Sequence, residues 1–390
     1  MLAETPIKNI IPIALPTLGD EEIDAVANVI RTGWVSQGPQ VKAFESEFAA
    51  YVGSQYACAV SNCTTALHLA LLAVGVGTKD EVITVSHSFI ATANAIRHCG
   101  ATPVFVDIDP EMFNLEPQLI ESAITDRTKA ILCVHQLGMP CDIKAIIKIA
   151  TKYNLPVIED AACAIGSQIK CDGNWEQIGK PHGDIACFSF HPRKVITTGE
   201  GGMLTTNNPK WDQLFRLWRQ HGMSVSDSIR HNASNVIFEE YPVVGYNYRL
   251  TDLQAAIGRK QLERLPSIIN QRRLIAKLYC EYLLDVEEIT PPFEPSWARS
   301  NWQSYAIRLS TKFNQKEIMQ TLLDLGVSTR RGVMCSHREQ AYDDIVLNHA
   351  LIQSEKAQNQ TILLPIYPQL SEENVTYIVK SLKNAIAQHA

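Results

Sequence analysis

The sequence has no CxxC pair, no dense lysine or arginine block and no apolar run approaching the ~20 residues a membrane helix needs. The first absence argues against zinc ribbons and thioredoxin-type redox sites. The second, with a formal net charge of -6, leaves no general attraction for nucleic acid. The third argues against a membrane-bound chain. The amino-terminal run "IIPIALP" is no exception, because two prolines interrupt it and Asp20, Glu21 and Glu22 follow, unlike a signal peptide. No GxGxxG joins a strand-like to a helix-like segment, which disfavours a simple nicotinamide-dependent dehydrogenase. Internal repeats and low-complexity linkers are also lacking.

What remains is an ordinary globular composition. The chain has 390 residues, 46% apolar and 19% charged, enough for a sizeable core and for two domains at roughly 100–200 residues each. The ten cysteines, Cys58, Cys63, Cys99, Cys133, Cys141, Cys163, Cys171, Cys187, Cys280 and Cys335, are scattered. Without a secretory signal they are expected to be reduced thiols in a cytoplasm, mostly buried as small apolar residues. The glycosylation-like triplets at Asn62 and Asn374 are read as chance matches for the same reason.

From about residue 60 to 210, short apolar runs alternate with amphipathic segments. "EVITV", "TPVFVDID", "KAILCVHQL", "LPVIED" and "DIACFSF" read as strands, and "TTALHLALLAVG", "FIATANAIRHCG" and "IKAIIKIATKYN" have helical spacing. That order predicts an α/β fold with a mainly parallel sheet flanked by helices. A long helical pattern follows from Thr251, expected to break or kink at Pro266. The boundary is drawn there, giving a large domain over 1–252 and a smaller α+β domain over 253–390, with "NWQSYAIRLS" as a strand and "QKEIMQTLLDLGV" as a helix.

In an open α/β sheet, ligands sit beyond the carboxyl ends of the strands. "SNCTTALHL" turns from strand to helix, so the amides around Cys63 and Thr64 and the Thr64 hydroxyl can hold a phosphate, or Thr64 can simply belong to a helix cap. "VIEDAACAIGS" puts Glu159 and Asp160 at the end of an apolar strand, where a carboxylate needs a partner: a cationic ring nitrogen, a helix start or a buried ion pair. Lys194 lies in "FSFHPRKVITTGEGG", between cationic neighbours and a glycine-rich turn, as a reactive amine, a phosphate counter-charge or an exposed loop residue. Phe89 offers an aromatic face or a core side chain. An aldehyde cofactor with a phosphate and a ring nitrogen needs this set together: phosphate donors, an acid, an amine and a stacking ring.

These residues carry a resemblance. The chain resembles the DegT/DnrJ/EryC1/StrS family of pyridoxal-phosphate-dependent sugar aminotransferases through "TGWVSQGPQVKAFESEFA", "SNCTTALHLALLAVGVG", "DEVITVSHSFIATANAI", "FVDIDP", "VIEDAACAIGS", "GDIACFSFHPRKVITTGEGGM" and "GYNYRLTDLQAAIG". The resemblance implies a fold type I transferase that works as a homodimer with shared active sites. Carried over by motif, Lys194 links covalently to pyridoxal 5'-phosphate, Asp160 pairs with the pyridine nitrogen and Phe89 stacks on the ring. Thr64, Ser189 and the backbone at Cys63 hold the phosphate, joined by Asn247 from the partner chain. Trp34, Arg249 and His337 fall at positions assigned to substrate. Cys163, at the cofactor face, stands where family members often carry Gln or His, and a thiol cannot replace those donors with equal strength. No metal is implied.

The implied reaction takes an amino group from glutamate to a nucleotide-linked keto sugar, a 4-keto-6-deoxy sugar of surface polysaccharide by the likeness of "TGWVS" to perosamine-type enzymes. A 3-keto sugar, an aminocyclitol precursor or a 2-acetamido-4-keto sugar would use the same core motifs. Lys194 argues against the deoxygenating relatives, which carry histidine there. A non-enzymatic regulator that binds a sugar nucleotide is the remaining alternative.

Overall fold

The computed structural model describes residues 10–225, 230 and 233–389. The apolar runs form one seven-stranded sheet, since strands apolar on both faces are buried only when helices cover both sides. Its strands are β1 (Tyr56–Val60), β2 (Glu81–Val85), β3 (Thr102–Val106), β4 (Thr128–Val134), β5 (Val157–Asp160), β8 (Ile185–Ser189) and β9 (Gly202–Thr206), in the spatial order β1-β9-β8-β5-β4-β2-β3. Strands β8, β5, β4, β2 and β3 pair parallel, and β9 alone runs antiparallel to both neighbours. The carboxyl ends of the parallel strands therefore share one edge with the amino end of β9. Between β5 and β8 the hairpin β6 (Gln168–Cys171) and β7 (Asn174–Gln177) joins a small separate sheet with β11 (Ala298–Arg299).

Alternate side chains along each strand face opposite layers. Ile131, Cys133, Ala186 and Phe188 pack with Phe44 and Phe48 of helix α2 (Pro39–Val52) and Ile146 of α6 (Ile143–Lys152). Ala130, Leu132, Ile185 and Cys187 pack instead with α3 (Cys63–Ala73), α4 (Ala91–His98) and α7 (Pro209–Trp218). A smaller antiparallel sheet, β10 (Ile289–Thr290), β12 (Tyr305–Leu309), β14 (Thr361–Leu364) and β13 (Arg330–Arg331), carries a second core with helices Gln315–Asp324 and Glu372–Gln388.

Helix α8 (Asp252–Leu283) is shared by both cores. Ala255, Leu262, Leu265, Ile268 and Ile269 lie in the first, and Ile275, Ala276, Tyr279 and Leu283 in the second. The expected break at Pro266 does not occur: the helix runs through it. Buried contacts on both sides of the proline hold the helical path against the missing N–H. At its start, Asp252 accepts the amides of Gly38, Gln40 and Val41 at 2.8, 3.0 and 2.9 Å, fixing the entry to α2. The expected strand over 301–310 is confined to Tyr305–Leu309; Trp302 has a positive φ of 53°, and the Asn301 amide turns away to donate to the carbonyls of Cys163 and Ile165, both at 2.8 Å. No helix among the described residues is long and apolar enough to cross a membrane.

One buried network clamps α2, β1 and the end of α7. The Glu45 carboxylate accepts the Ala59 amide at 2.9 Å and pairs with Arg216 and Arg219, whose guanidinium groups also donate to the carbonyls of Ala57 and Ala59. Burial works against the Glu45 charge, but the two arginines outweigh it and hold the carboxyl below its ordinary value. Removing one partner strands a buried charge. Arg219→Ala is expected to lower the unfolding free energy by about 3–5 kcal/mol, read from urea denaturation; a loss within experimental error would show that the network carries no net stability.

Candidate active site

The connection from β1 to α3 turns on Asn62. Its side chain accepts the Thr65 amide at 2.9 Å while Thr65 Oγ1 donates to the Asn62 carbonyl at 2.7 Å, which caps the helix and aims its first turn into the sheet edge. The amides of Cys63 and Thr64 are first-turn groups with no acceptor inside their own helix. Gly202, at the start of β9, lies against them: a Cβ there would meet Asn62 C and O at 2.5 Å and Cys63 N at 2.8 Å. Only glycine lets β9 pass this close.

Asp160 ends β5 and is 5% exposed. Its carboxylate accepts Thr92 Oγ1 at 2.8 Å and the Ala162 amide at 3.1 Å, and Thr92 is itself bonded to Ser88 Oγ at 2.8 Å. Burial pushes the carboxyl above its ordinary value, against those two hydrogen bonds and Lys194. It is a buried acid still lacking a full counter-charge. Glu159, its neighbour on the strand, points the other way and is satisfied by His135 Nε2 at 2.9 Å and the Gly183 amide at 2.8 Å. The Cys141 amide donates to His135 Nδ1 at 3.1 Å, so that nitrogen is an acceptor and Nε2 carries the proton given to Glu159.

Lys194 lies in the loop between β8 and β9. Thr197 Oγ1 and the Thr198 amide both donate to the Phe190 carbonyl, at 2.8 and 3.0 Å, and Gln303 donates to the Arg193 carbonyl at 2.6 Å, so the loop is held from both domains. Lys194 Nζ lies 3.0 Å from Cys163 Sγ. Burial lowers the affinity of the amine for its proton, but its contact with Cys163 and the nearby Asp160 outweigh it and leave Lys194 above the ordinary lysine value. Burial, with Asp160 nearby, keeps Cys63 a neutral thiol, raised well above its ordinary value.

A cavity of about 850 Å³ opens at this edge, lined by Cys63, Thr64, Phe89, Asp160, Cys163, Ser189 and Lys194, so the sequence motifs converge on one place. Phe89 is 64% exposed on its wall. Four other expected site residues do not line the cavity. Asn247 is exposed and bridges Gln220, Arg249 bridges Val60 beside β1, and Trp34 packs its indole over Gly38 and donates to the Gln37 carbonyl at 3.0 Å. His337 is held between Ser86 Oγ at 2.6 Å and Glu355 Oε1 at 3.2 Å, fastening the small domain to the end of β2. Sequence reading overlooked Thr92, Gln303, Arg330 and Arg331, of which all four line the cavity. Thr92 left a local signal, since it lies one helical turn from Ser88. The others arrive from the small domain and left none.

The donor set fits pyridoxal phosphate on chemical grounds. First-turn amides with the Thr64 and Ser189 hydroxyls suit a phosphate, the under-compensated Asp160 suits a protonated ring nitrogen, and Lys194 is an amine buried within the same cavity.

Relatives agree with this geometry. The DegT/DnrJ/EryC1/StrS aminotransferase family model matches residues 16–383. The spore coat polysaccharide biosynthesis protein SpsC of Bacillus subtilis is 36% identical over 386 residues, covering 96% of this chain and 97% of SpsC. The aminotransferase TlmJ of Streptoalloteichus hindustanus superposes with a TM-score of 0.89 at 32% identity, covering 98% of this chain and 100% of that one. The putative sugar aminotransferase Spr1654 of Streptococcus pneumoniae, in its PMP form, gives a TM-score of 0.91 at 27% identity, with 97% and 100% covered. With a motif-bearing cavity, a matching fold and a family model spanning nearly its whole length, the chain belongs to the DegT/DnrJ/EryC1/StrS aminotransferase family and is a pyridoxal-phosphate-dependent aminotransferase of fold type I.

Proposed function

We propose that this aminotransferase moves an amino group from glutamate to a nucleotide-linked 4-keto-6-deoxy sugar for surface polysaccharide, acting in the cytoplasm as a homodimer with shared sites. The observation that carries the substrate class is a cationic wall in the same cavity. Arg193, Arg330 and Arg331 line it with Lys194, while Glu200 and a His191 that burial presses below its ordinary value lie on the same lining. Burial and then Arg330 press Arg193 below its ordinary value, so the two guanidinium groups repel. Among the described residues neither has a carboxylate within ion-pair distance, an arrangement that a sugar nucleotide's diphosphate or a glutamate carboxylate would relieve. The cavity volume suits a cofactor together with a second ligand. SpsC, named for spore coat polysaccharide biosynthesis, supports the polysaccharide assignment.

When bound, the cofactor supplies the aldehyde that takes up the amino group and the ring that accepts electrons. The chain does the rest. Asp160, locked by Thr92 and the Ala162 amide, would keep a proton on the ring nitrogen. Lys194 would carry the cofactor and, as a free amine, would take up and return a proton at Nζ. Thr64, Ser189 and the first turn of α3 would anchor the phosphate. Cys163 touches the Lys194 amine.

The dimer rests on the segment before α8. Val236, Phe238 and Val244 are 85%, 87% and 89% exposed, an apolar strip on a single chain, and Asn247 follows it. The polar excursion from Met223 to Glu240 reads as a loop crossing the surface toward a neighbour; residues 226–229 and 231–232 of it lie outside the described residues.

Four experiments test this reading. Glutamate added to the purified protein should bleach the visible cofactor band with release of 2-oxoglutarate, and a nucleotide-linked 4-keto-6-deoxy sugar should restore it; restoration only by a 3-keto sugar would reassign the acceptor. Lys194→Ala should retain cofactor yet lose transamination by several orders of magnitude, and borohydride reduction of the wild type should mark Lys194; another labelled lysine would refute its role. Thr92→Val removes a hydrogen bond that favours the Asp160 carboxylate, so the acid limb of the rate profile should move to higher pH; an unmoved limb with unchanged rate would show that Thr92 does not act through Asp160. Finally, Lys194→Ala and a bulky apolar replacement at Asn247, each nearly inactive alone, should regain up to about half of wild-type activity in purified heterodimers, because one site then carries both defects and the other neither. Heterodimers that stay inactive would place Asn247 in its own chain's site.

A further inference from the structure

A second cluster of reactive side chains lies at the opposite edge of the large sheet. Cys171 ends β6, Glu176 lies on β7 and His182 is in the loop that leads into β8. One ligand atom from each falls within 4.8 Å of the others, and among the described residues no other three His, Cys, Asp or Glu side chains come so close together. His182 Nε2 is 3.0 Å from Glu176 Oε2. The His182 side chain is 9% exposed, yet its Nδ1 is buried without a hydrogen-bond partner.

We propose that Cys171, Glu176 and His182 form a metal site of the zinc class, which staples the β6–β7 hairpin to the entry of β8. The ligand chemistry fits: one thiolate, one imidazole and one carboxylate are donors that zinc takes together, with water at the fourth position. With bonds of ~2.0–2.3 Å, tetrahedral ligands lie roughly 3.3–3.6 Å apart. The His182–Glu176 separation already matches this within a few tenths of an ångström, and Cys171 Sγ lies within 4.8 Å of both. Lys180 bonds the other oxygen of Glu176 and orients the carboxylate from outside, as partners of ligating groups commonly do. Binding deprotonates the thiol and replaces the contact between Nε2 and the carboxylate with two bonds to the ion. Affinity therefore falls as pH drops.

The place of the site makes its role structural. His182 precedes Gly183, whose amide holds Glu159, and Asp184 accepts the Val157 amide at 2.8 Å at the start of β5. The cluster thus braces the strand that ends in Asp160 from its far end, outside the cofactor cavity.

The test uses cofactor-loaded protein, so that the cavity thiols are covered, and zinc alone as probe. After equilibration with zinc and exchange into metal-free buffer, elemental analysis should find one metal per chain. Cys171→Ser and His182→Ala should each weaken zinc binding by about tenfold or more, while their transamination rates stay near wild type. Zinc should raise the thermal midpoint of the wild type and not of these variants. Cobalt(II) should give the visible bands of a tetrahedral thiolate-ligated ion, lost with Cys171. The proposal is overturned if the wild type retains no zinc at micromolar free metal, or if both variants retain it as the wild type does.

Discussion

A carboxylate at the end of a wholly buried strand is the constraint around which this molecule is arranged. Asp160 cannot be solvated, and an acid in that position costs several kcal/mol unless charge or hydrogen bonds compensate it. The chain provides part of the compensation through Thr92 and the Ala162 amide and leaves the remainder to a cation. Lys194 stands nearby in the same cavity and supplies part of that charge.

The groups around Asp160 are fixed by contacts that reach the cavity edge from both cores. Gln303 and Asn301 of the small domain hold the Arg193 and Cys163 backbone, and His337 ties the same domain to Ser86 beside Phe89. Helix α8 runs unbroken from one core into the other, so the two domains share a rigid element as well as a loop network. His337 is thus placed as a fastening beside the aromatic wall.

Much of this was legible in the sequence, for reasons that differ by element. The central strands announced themselves as apolar runs too short for helices, and each chemical residue followed one of them because strand ends are where such a sheet gathers ligands. Strand β9 escaped notice: "GMLTT" follows a glycine turn with no helix between, and its antiparallel course depends on β1 and β8 closing around it. The break that Pro266 could have made does not occur, because buried contacts from two cores, which no window of sequence displays, outweigh the missing N–H. Thr92 could have been found by asking what holds a buried acid. Arg330 and Arg331 could not, since they reach the cavity only after the small domain has folded back on β14.

Glu159 and Asp160 show how one strand divides two tasks. Successive side chains of a strand face opposite sides, so two adjacent acids must find separate environments. Asp160 faces the cavity and is kept short of charge. Glu159 faces the interior, where a histidine and a backbone amide complete its hydrogen bonds, and it has no capacity left for chemistry. The satisfied acid nevertheless serves the other: through Gly183 it ties the end of β5 to the loop holding His182, and through His135 it ties β5 to β4, whose backbone amide at His135 donates to the Asp160 carbonyl at 3.0 Å.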